Sequence, residues 1–242
     1  MAIRHDQGIV LRTYSFGEAD KVVIILSPNY GKLRTVAKGV RKTKSRFGGR
    51  LEPFTHIDLV LYEGRNLDTV TQVSVIEAYP SLRMDYEAVL AAGTMVEVTD
   101  AIAQENESST GLFLLLQRGL EALESGANSL DLLSLFLLKA AGVLGVSPSL
   151  EFCAGCGRAP SKEEKFRFAF GSGGLVCHSC EPSGAYRLRE GVVQHLASLA
   201  EADLKTVPAL ESGLEADALG TSKRYLEFHL EKRLTSLEVM HG

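Results

Sequence analysis

The change in hydrophobic period near Pro80 is the feature that most limits what this chain can fold into. Before it, five short segments alternate apolar and polar residues with the period of two that is typical of half-buried strands. After it, apolar residues such as Leu82 and Tyr86 recur at helical spacing. The pattern predicts an α+β protein, with a β-domain over residues 1–80 and a mostly helical domain over residues 81–242.

Turn-forming residues separate the five predicted strands of the first domain. The clusters at residues 27–31 and 63–66 predict that the second and third strands form one hairpin, and that the fourth and fifth strands form another. Five antiparallel strands must hide their edges, which a small barrel does. An OB-fold is one such barrel, and an SH3-like barrel has a similar strand count.

The second domain is predicted to be built from helices. Besides the helix that follows Pro80, they lie at residues 111–124, 130–145, 190–204 and 221–237. The second of these four is apolar nearly all round, which suits the centre of a helical bundle. Residues 205–219 are acidic and contain Gly and Pro, so they predict a loop.

Nothing in the sequence predicts a membrane protein. The most apolar segment, residues 130–146, is interrupted by Asp131 and Lys139, so it lacks the roughly 18 uninterrupted apolar residues of a membrane span. The N-terminus lacks the apolar core of a signal peptide. We therefore expect a soluble, cytoplasmic protein.

All four cysteines fall in two CxxC pairs, Cys153/Cys156 and Cys177/Cys180. Two intervening residues let one turn present both thiolates to the same tetrahedral ion, and four soft ligands suit zinc. The alternating segment between the pairs predicts a ribbon-like hairpin that brings them together, in an insertion at about residues 150–183. Because four thiolates leave no open coordination position, we expect one structural zinc ion per chain.

Two alternatives stay open for these cysteines. They could be reduced thiols without a metal, or they could have a redox or disulfide role, which is rare in the cytoplasm. His178 could replace one thiol as a ligand, but with four cysteines present it is better interpreted as an exposed residue of the turn.

The formal net charge of −4, from 26 Lys and Arg against 30 Asp and Glu, conceals an asymmetry. Residues 1–80 contain 12 basic and 8 acidic residues, whereas the rest of the chain contains 14 basic and 22 acidic residues. Within the first domain, a segment of eight cations contains no acid. We call it the basic segment, and its cations are Lys32, Arg34, Lys38, Arg41, Lys42, Lys44, Arg46 and Arg50.

The basic segment has two interpretations. Charge runs are commonly solvated loops without a specific partner. Here, however, Lys32 and Arg34 are two residues apart on the predicted third strand and so share a face, with Lys38 on the same parity. Tyr30 and Phe47 would lie near the cations and could stack on unpaired bases. A basic face on a small barrel favours nucleic-acid binding.

Recognisable catalytic motifs are absent from the sequence. It contains no GxxxxGK[ST] phosphate loop, no HExxH metalloprotease helix and no GxSxG nucleophile elbow. A protein that is not an enzyme is therefore favoured. Two other classes remain open: a protein-interaction adaptor that binds partners through its helices and zinc ribbon, and a nucleic-acid enzyme with an unrecognised site.

The combination of these motifs resembles the bacterial RecO family of DNA repair proteins. The segments that carry the resemblance are GEAD at 17–20, GKL at 31–33, AKGVRK at 37–42, LEPF at 51–54, and the CxxC…CxxC interruption of the helical domain. The resemblance runs through essentially the whole chain. It implies an N-terminal OB-fold, followed by a helical domain with a zinc-binding insertion.

The resemblance also implies a function and partners. Proteins of this family act in the RecF recombination pathway, bind single- and double-stranded DNA, and anneal complementary strands without ATP. With RecR they help load RecA onto DNA coated by single-stranded-DNA-binding protein (SSB). The C-terminal tail of SSB binds the family's helical domain, at a pocket that no motif of this sequence marks. Such a protein is expected at the nucleoid.

The functional residues of the family can be placed on this sequence by the matching motifs. Its DNA-contacting strand and loop fall on Lys32, Arg34, Lys38, Arg41, Lys42 and Lys44. Its zinc ligands fall on Cys153, Cys156, Cys177 and Cys180. Many family members lack some of these cysteines, so zinc is not implied to be essential to the family's activity in general.

Overall fold

The computed structural model describes residues 2–43, 45–160, 166–208 and 213–237. They form two compact units, one up to Ser125 and the other from Gly126 onward. Each unit is described by itself below. Among the described residues, no helix is both long and apolar enough to cross a membrane.

A barrel of five strands lies in the first unit. The strands are β1 (Ile3–Phe16), β2 (Asp20–Ser27), β3 (Gly31–Ala37), β4 (His56–Tyr62) and β5 (Asp68–Glu77). Their order is β1-β2-β3-β5-β4, and β1 closes the barrel by pairing with β4. Neighbouring strands are antiparallel, except that β3 and β5 pair in parallel over two positions.

The long strand β1 makes the closure possible. Its first half, up to Ile9, pairs with β4, and its second half pairs with β2. The register shifts between Val10 and Arg12, and such a bulge bends a strand so that it can serve both sides of a barrel. The arrangement is the expected OB-fold, and both predicted hairpins are confirmed.

Two helices, α1 (Tyr86–Ile102) and α2 (Thr110–Glu124), complete the first unit. The Asp85 carboxylate caps α1 by accepting a hydrogen bond from the Ala88 N–H at 2.9 Å. Helix α2 contacts β1 and β2, and β2 is buried on both faces from Val22 to Ser27. The compact unit therefore extends beyond Pro80, where the change from strands to helices begins.

The second unit contains three longer helices, α3 (Ser129–Val143), α4 (Val192–Glu201) and α5 (Glu215–Leu230). Helix α3 contacts both of the others and is buried almost all round, which confirms its predicted central position. The loop predicted at residues 205–219 is wrong at its end, because α5 begins at Glu215. The acidic first turn of α5, with Glu215 and Asp217, is stabilised by the positive end of the helix dipole.

A short hairpin separates the two cysteine pairs along the chain. It consists of β6 (Arg167–Ala169) and β7 (Gly174–Val176), joined through Gly173 in the left-handed region at φ 82°. The backbone of Ser149 lies beside β7 and accepts a hydrogen bond from the Leu175 N–H at 2.9 Å. The predicted ribbon-like hairpin is confirmed. Lys165, at the start of its predicted first strand, lies outside the described residues.

Candidate nucleic-acid interface and metal centre

The outer face of β3 carries the first two cations of the basic segment. Lys32 and Arg34 flank the buried Leu33, so both side chains lie on the outer side of the barrel. The strand ends at Ala37, and Lys38 follows it as an exposed residue. The alternation of the strand therefore brings Lys32 and Arg34 together, and Lys38 begins the next loop.

Lys32 is held by an acidic residue of α1. Its Nζ donates a hydrogen bond to the Asp100 carbonyl oxygen at 2.7 Å and lies 3.4 Å from the Asp100 carboxylate. The same carboxylate lies 3.2 Å from the guanidinium group of Arg12. The Lys32 side chain is only 18% exposed. Its charge is therefore largely compensated within the first unit.

The end of α1 and the chain that follows it lie beside β3. We call residues 100–107 the acidic strap, because they include Asp100, Glu105 and Glu107. Main-chain hydrogen bonds attach the strap to β3, including one at 3.0 Å from the Lys32 N–H. The Glu105 carboxylate lies 3.9 Å from the Arg34 Nε. The strap thus places negative charge next to the outer face of β3.

The loop after β3 carries the exposed cations of the basic segment. Two hydrogen bonds fix its start, from the Gly39 N–H to the Asp20 carboxylate at 2.7 Å and from the Arg41 N–H to the Ala19 carbonyl oxygen at 2.9 Å. Lys44 lies outside the described residues. The exposed cations of this loop are Lys38, Arg41, Lys42, Arg46 and Arg50.

The expected role of Phe47 in base stacking is wrong. Phe47 is only 2% exposed, and together with Leu51 it belongs to the hydrophobic core of the barrel. Its ring also lies 4.8 Å from the Arg46 guanidinium. Tyr30 is partly buried against the same core and lies 5.1 Å from the guanidinium of Arg4. The Phe47 ring is therefore not available to a base, because it fills the core of the barrel, whereas Tyr30 keeps a part of its surface exposed.

A polar cavity of about 210 Å³ lies between β3 and the loop that joins β4 to β5. Glu63 lies 2.8 Å and Asp68 3.4 Å from the Arg4 guanidinium, which compensates the charge of Arg4. Arg65 is exposed and was not among the predicted residues. The predicted turn at 63–66 could have identified it, since this loop borders the binding face of OB-folds. The cations that line the cavity are Arg4, Lys32, Arg34 and Arg65.

The four cysteines of the second unit come together at one point. Their Sγ atoms lie within 4.8 Å of one another, and those of Cys156 and Cys177 are 3.8 Å apart. Four sulfurs around a zinc ion at about 2.3 Å form a tetrahedron with edges of about 3.8 Å, so the geometry fits one zinc ion. Cys153 and Cys177 are buried, Cys180 is partly buried and Cys156 is exposed.

Tight turns position the thiols. The Gly157 N–H donates to the Cys153 carbonyl oxygen at 2.8 Å, and the Cys180 N–H donates to the Cys177 carbonyl oxygen at 3.0 Å. A Cβ at Gly155 would lie 3.0 Å from the Cys180 Cβ and 3.1 Å from its Sγ, so any other residue here would require Cys180 to shift. The small residues of the CxxC segments therefore allow the two turns to face each other.

The environment of Cys153 favours a thiolate. Burial opposes ionisation of this thiol, but N–H donors from Cys177, Cys156 and Gly155 outweigh burial and lower its pKa to about 6. The Cys177 N–H lies 3.3 Å from the Cys153 Sγ. The thiolate is the form that ligates metals. His178 is not part of the cluster, and its side chain is 92% exposed.

Comparison with known protein families agrees with both halves of the structure. The family profile described as "Recombination protein O N terminal" matches residues 1–79, and that described as "Recombination protein O C terminal" matches residues 83–238. The chain belongs to the RecO family. This confirms the resemblance that the sequence motifs indicated.

Relatives from this RecO family cover nearly the full length of the chain. "DNA repair protein RecO" of Thermobifida fusca is 40% identical over 244 residues, which is 99% of either chain. The protein of the same name from Nocardioides sp. is 42% identical over 237 residues, 96% of either chain. That of Frankia casuarinae is 40% identical over 240 residues, 98% of either chain.

The boundary between the two RecO profiles coincides with the change from strands to helices. The profiles meet between residues 79 and 83, whereas the first compact unit extends to Ser125. The difference is due to α1 and α2, which follow the barrel in sequence and pack within its unit.

Proposed function

We propose that this protein is a DNA repair and recombination mediator. It binds single- and double-stranded DNA and anneals complementary strands without ATP. With RecR it helps load RecA onto single-stranded DNA coated by SSB. Membership of the RecO family and the names of its relatives support this function, which requires no catalytic residue.

The observation that carries the proposal is the group of exposed cations that follows β3 on an OB-fold. This group has five members, Lys38, Arg41, Lys42, Arg46 and Arg50. In the described part of the chain, none of the five lies within ion-pair distance of a carboxylate. Arg34 extends this surface, while Lys32 contributes mainly through its contact with Asp100. Each neutralised phosphate of a single strand lowers the salt slope of log K by about 0.7, so five contacts give about −3.5.

Strand annealing needs little more than such a surface. Base pairing between complementary strands supplies the driving force, and the protein has only to reduce phosphate repulsion while it leaves the bases accessible. A cationic surface does this without nucleotide hydrolysis. The absence of a phosphate-binding GxxxxGK[ST] motif from the sequence is consistent with this mechanism.

For the four cysteines we propose one structural zinc ion, held by Cys153, Cys156, Cys177 and Cys180. When bound, zinc supplies four bonds that tie the two CxxC turns together. These turns precede and follow the β6–β7 hairpin, so the ion stabilises the ribbon. No position for a reacting water remains at a site with four thiolates.

The proposed protein partners are RecR, the C-terminal tail of SSB and, indirectly, RecA. The distribution of acidic residues supports different roles for the barrel and for the two helices that follow it. Residues 81–125 contain 8 acidic residues and only 2 basic ones. Negative charge of this density repels DNA and leaves α1 and α2 to bind proteins. A protein that handles chromosomal DNA acts in the cytoplasm, at the nucleoid.

The deciding experiment is ATP-free annealing of two complementary fluorescent oligonucleotides, first naked and then coated with the cognate SSB. We expect the full-length protein to accelerate annealing of both substrates. Acceleration on naked strands alone would support the DNA activity and contradict engagement of SSB. No acceleration by a folded, zinc-loaded protein would favour an interaction adaptor, and metal-dependent cleavage of the strands would indicate an enzyme.

A further inference from the structure

Four side chains of the second unit form a continuous surface, which we call the ribbon patch. The Phe228 ring stacks on Phe170, with ring centroids 6.2 Å apart and planes 30° apart. Phe170 lies 5.2 Å from Tyr186, and the guanidinium of Arg224 lies 5.4 Å from the Tyr186 ring centroid. Because Arg224 and Phe228 are one turn apart on α5, the four side chains close into one group.

The ribbon patch combines exposure with a rigid base. The Phe228 side chain is 52% exposed, although a ring of this size is usually buried. Below the patch, Tyr225 is 2% exposed and its hydroxyl donates a hydrogen bond to the Val146 carbonyl oxygen at 2.7 Å. The Phe228 ring lies beside Gly171, where a Cβ would be in ordinary van der Waals contact with the ring at 3.5 Å. The exposed ring is thus held in place without being needed to fill the core.

The charges around the ribbon patch favour an anionic ligand. Residues 223–233 contain four cations and two acids. One acid, Glu227, compensates Lys223, because its carboxylate lies 4.0 Å from the Lys223 Nζ and also accepts the Leu234 N–H at 2.7 Å, which leaves three cations against one acid. The other is Glu231, just after the end of α5. The second unit is therefore locally positive here, although the chain carries a net charge of −4.

We infer that the ribbon patch is a second site for single-stranded nucleic acid, in which Phe228 stacks on an unpaired base and Arg224 contacts a phosphate. Stacking on an exposed aromatic ring is tolerant of sequence, and a neighbouring arginine adds electrostatic attraction to the backbone. The inference rests on the proposed function for the nature of the ligand. It does not depend on the cations of the barrel.

A tryptophan reporter tests the stacking directly, because the natural chain contains no tryptophan. In the zinc-loaded, full-length F228W variant, oligothymidylate of about 20 nucleotides is expected to quench the single indole as bases stack on it. Inorganic polyphosphate, which has charge but no bases, is expected not to quench it. The matched control is F152W, since Phe152 is 49% exposed in the same unit and lies outside the ribbon patch.

Affinity gives a second, independent readout. We expect F228A to bind oligothymidylate about tenfold more weakly than F152A, because the ring on which a base stacks is removed. Circular dichroism and zinc content should be the same in both variants. The comparison is repeated with Lys38→Glu and Arg41→Glu present, so that the contribution of the barrel is reduced.

The outcomes separate this inference from the proposed function. Equal affinities of F228A and F152A, together with an unquenched F228W, would overturn the second site even if charge reversals on the barrel weaken binding. Quenching of F228W by an acidic peptide but not by oligothymidylate would also overturn it and assign the patch to a protein partner. If oligothymidylate quenches F228W, and if Lys38→Glu and Arg41→Glu leave the affinity for oligothymidylate unchanged, the second site is supported and the barrel interface is contradicted.

Discussion

The Lys32 ammonium group donates a hydrogen bond to the carbonyl oxygen of Asp100 at 2.7 Å, although the two residues are 68 positions apart in sequence. Asp100 also pairs with Arg12, so one carboxylate compensates cations of both β1 and β3. Because Asp100 compensates the charge of Lys32, we place the candidate interface mainly on the loop that follows β3 and less on the start of that strand. Lys32 is therefore expected to act on stability, and the exposed loop cations on DNA binding.

Charge reversal in the loop after β3 should weaken DNA binding. In Lys38→Glu and Arg41→Glu, the salt slope of log K for oligothymidylate should become less steep by about 0.7 for each phosphate that the protein no longer neutralises. Fluorescence anisotropy at several salt concentrations measures this. Arg118→Glu, at an exposed position of α2, serves as the matched control. Slopes equal to that of the control would contradict the assignment of the loop.

Neutralising the acidic strap should strengthen DNA binding. The Glu105 carboxylate lies 3.9 Å from the Arg34 Nε, and it repels any phosphate that approaches the outer face of β3. We expect Glu105→Gln to raise the affinity for oligothymidylate about two- to fivefold, as expected from the energy of an exposed charge pair. Glu87→Gln, at an exposed position in the first turn of α1, controls for net charge. An equal change in both variants would show that the position of Glu105 is unimportant.

The contact between the strap and β3 should contribute to stability. Gly31 has a φ of 64°, and a Cβ there would lie 1.9 Å from the Glu107 carbonyl oxygen. We expect Gly31→Ala to lower the free energy of unfolding by about 1–3 kcal/mol, through backbone strain and displacement of the strap. Urea unfolding measures the change. Gly49→Ala is the control, because a Cβ at Gly49 meets no atom within 4 Å. If both variants lost the same small amount of unfolding free energy, the strap would not be tightly packed against Gly31.

We expect the protein to hold one zinc ion per chain, and we expect zinc binding to require each of the four thiols. Native mass spectrometry of protein purified without chelator is expected to show one zinc ion per chain, and Cys177→Ser should reduce the content to near zero, since a buried ligand is removed. Ser179→Ala, within the same turn, should retain the metal. A wild-type protein free of metal would contradict the proposed site.

The stability of the first unit should depend on the protonation of His56. Burial lowers the pKa of His56, and the carboxylates of Glu121 and Glu77 oppose this only in part. The folded chain then binds this proton less readily than the unfolded chain, whose histidine titrates near 6.5. The free energy of unfolding should therefore fall as the pH drops below about 6.5, and it should be fully retained above that value.

Urea unfolding of wild type and His56→Gln, from about pH 8 to pH 5.5, measures this contribution. The difference between the two proteins should shrink toward low pH, because only the wild-type histidine takes up a proton on unfolding. His5→Gln is the control, because the His5 side chain is 67% exposed. A parallel pH dependence of wild type and His56→Gln would exclude His56 as the source.

Several features could be predicted because they depend on neighbours in sequence. Alternation in β4, where Ile57, Leu59 and Leu61 are buried, determines which side of the strand faces the core. The pattern of β2 is different, because the apolar run Val22–Leu26 does not alternate with polar residues. Both faces of β2 are buried, since α2 packs against this strand. The start of α5 at Glu215 could not be predicted in this way, because nearby Gly and Pro indicate a loop more strongly than the acidic first turn indicates a helix.

By itself, the sequence determined the order of strands and helices, the ribbon and the convergence of four thiols. Each of these features follows from the spacing of residues that are near one another in the sequence. Only the tertiary structure decided which charges and rings are available. It joined Lys32 to Asp100, placed Glu105 beside Arg34 and buried Phe47 in the barrel. Such contacts depend on the packing of segments far apart in the chain, and local patterns carry no information about that packing.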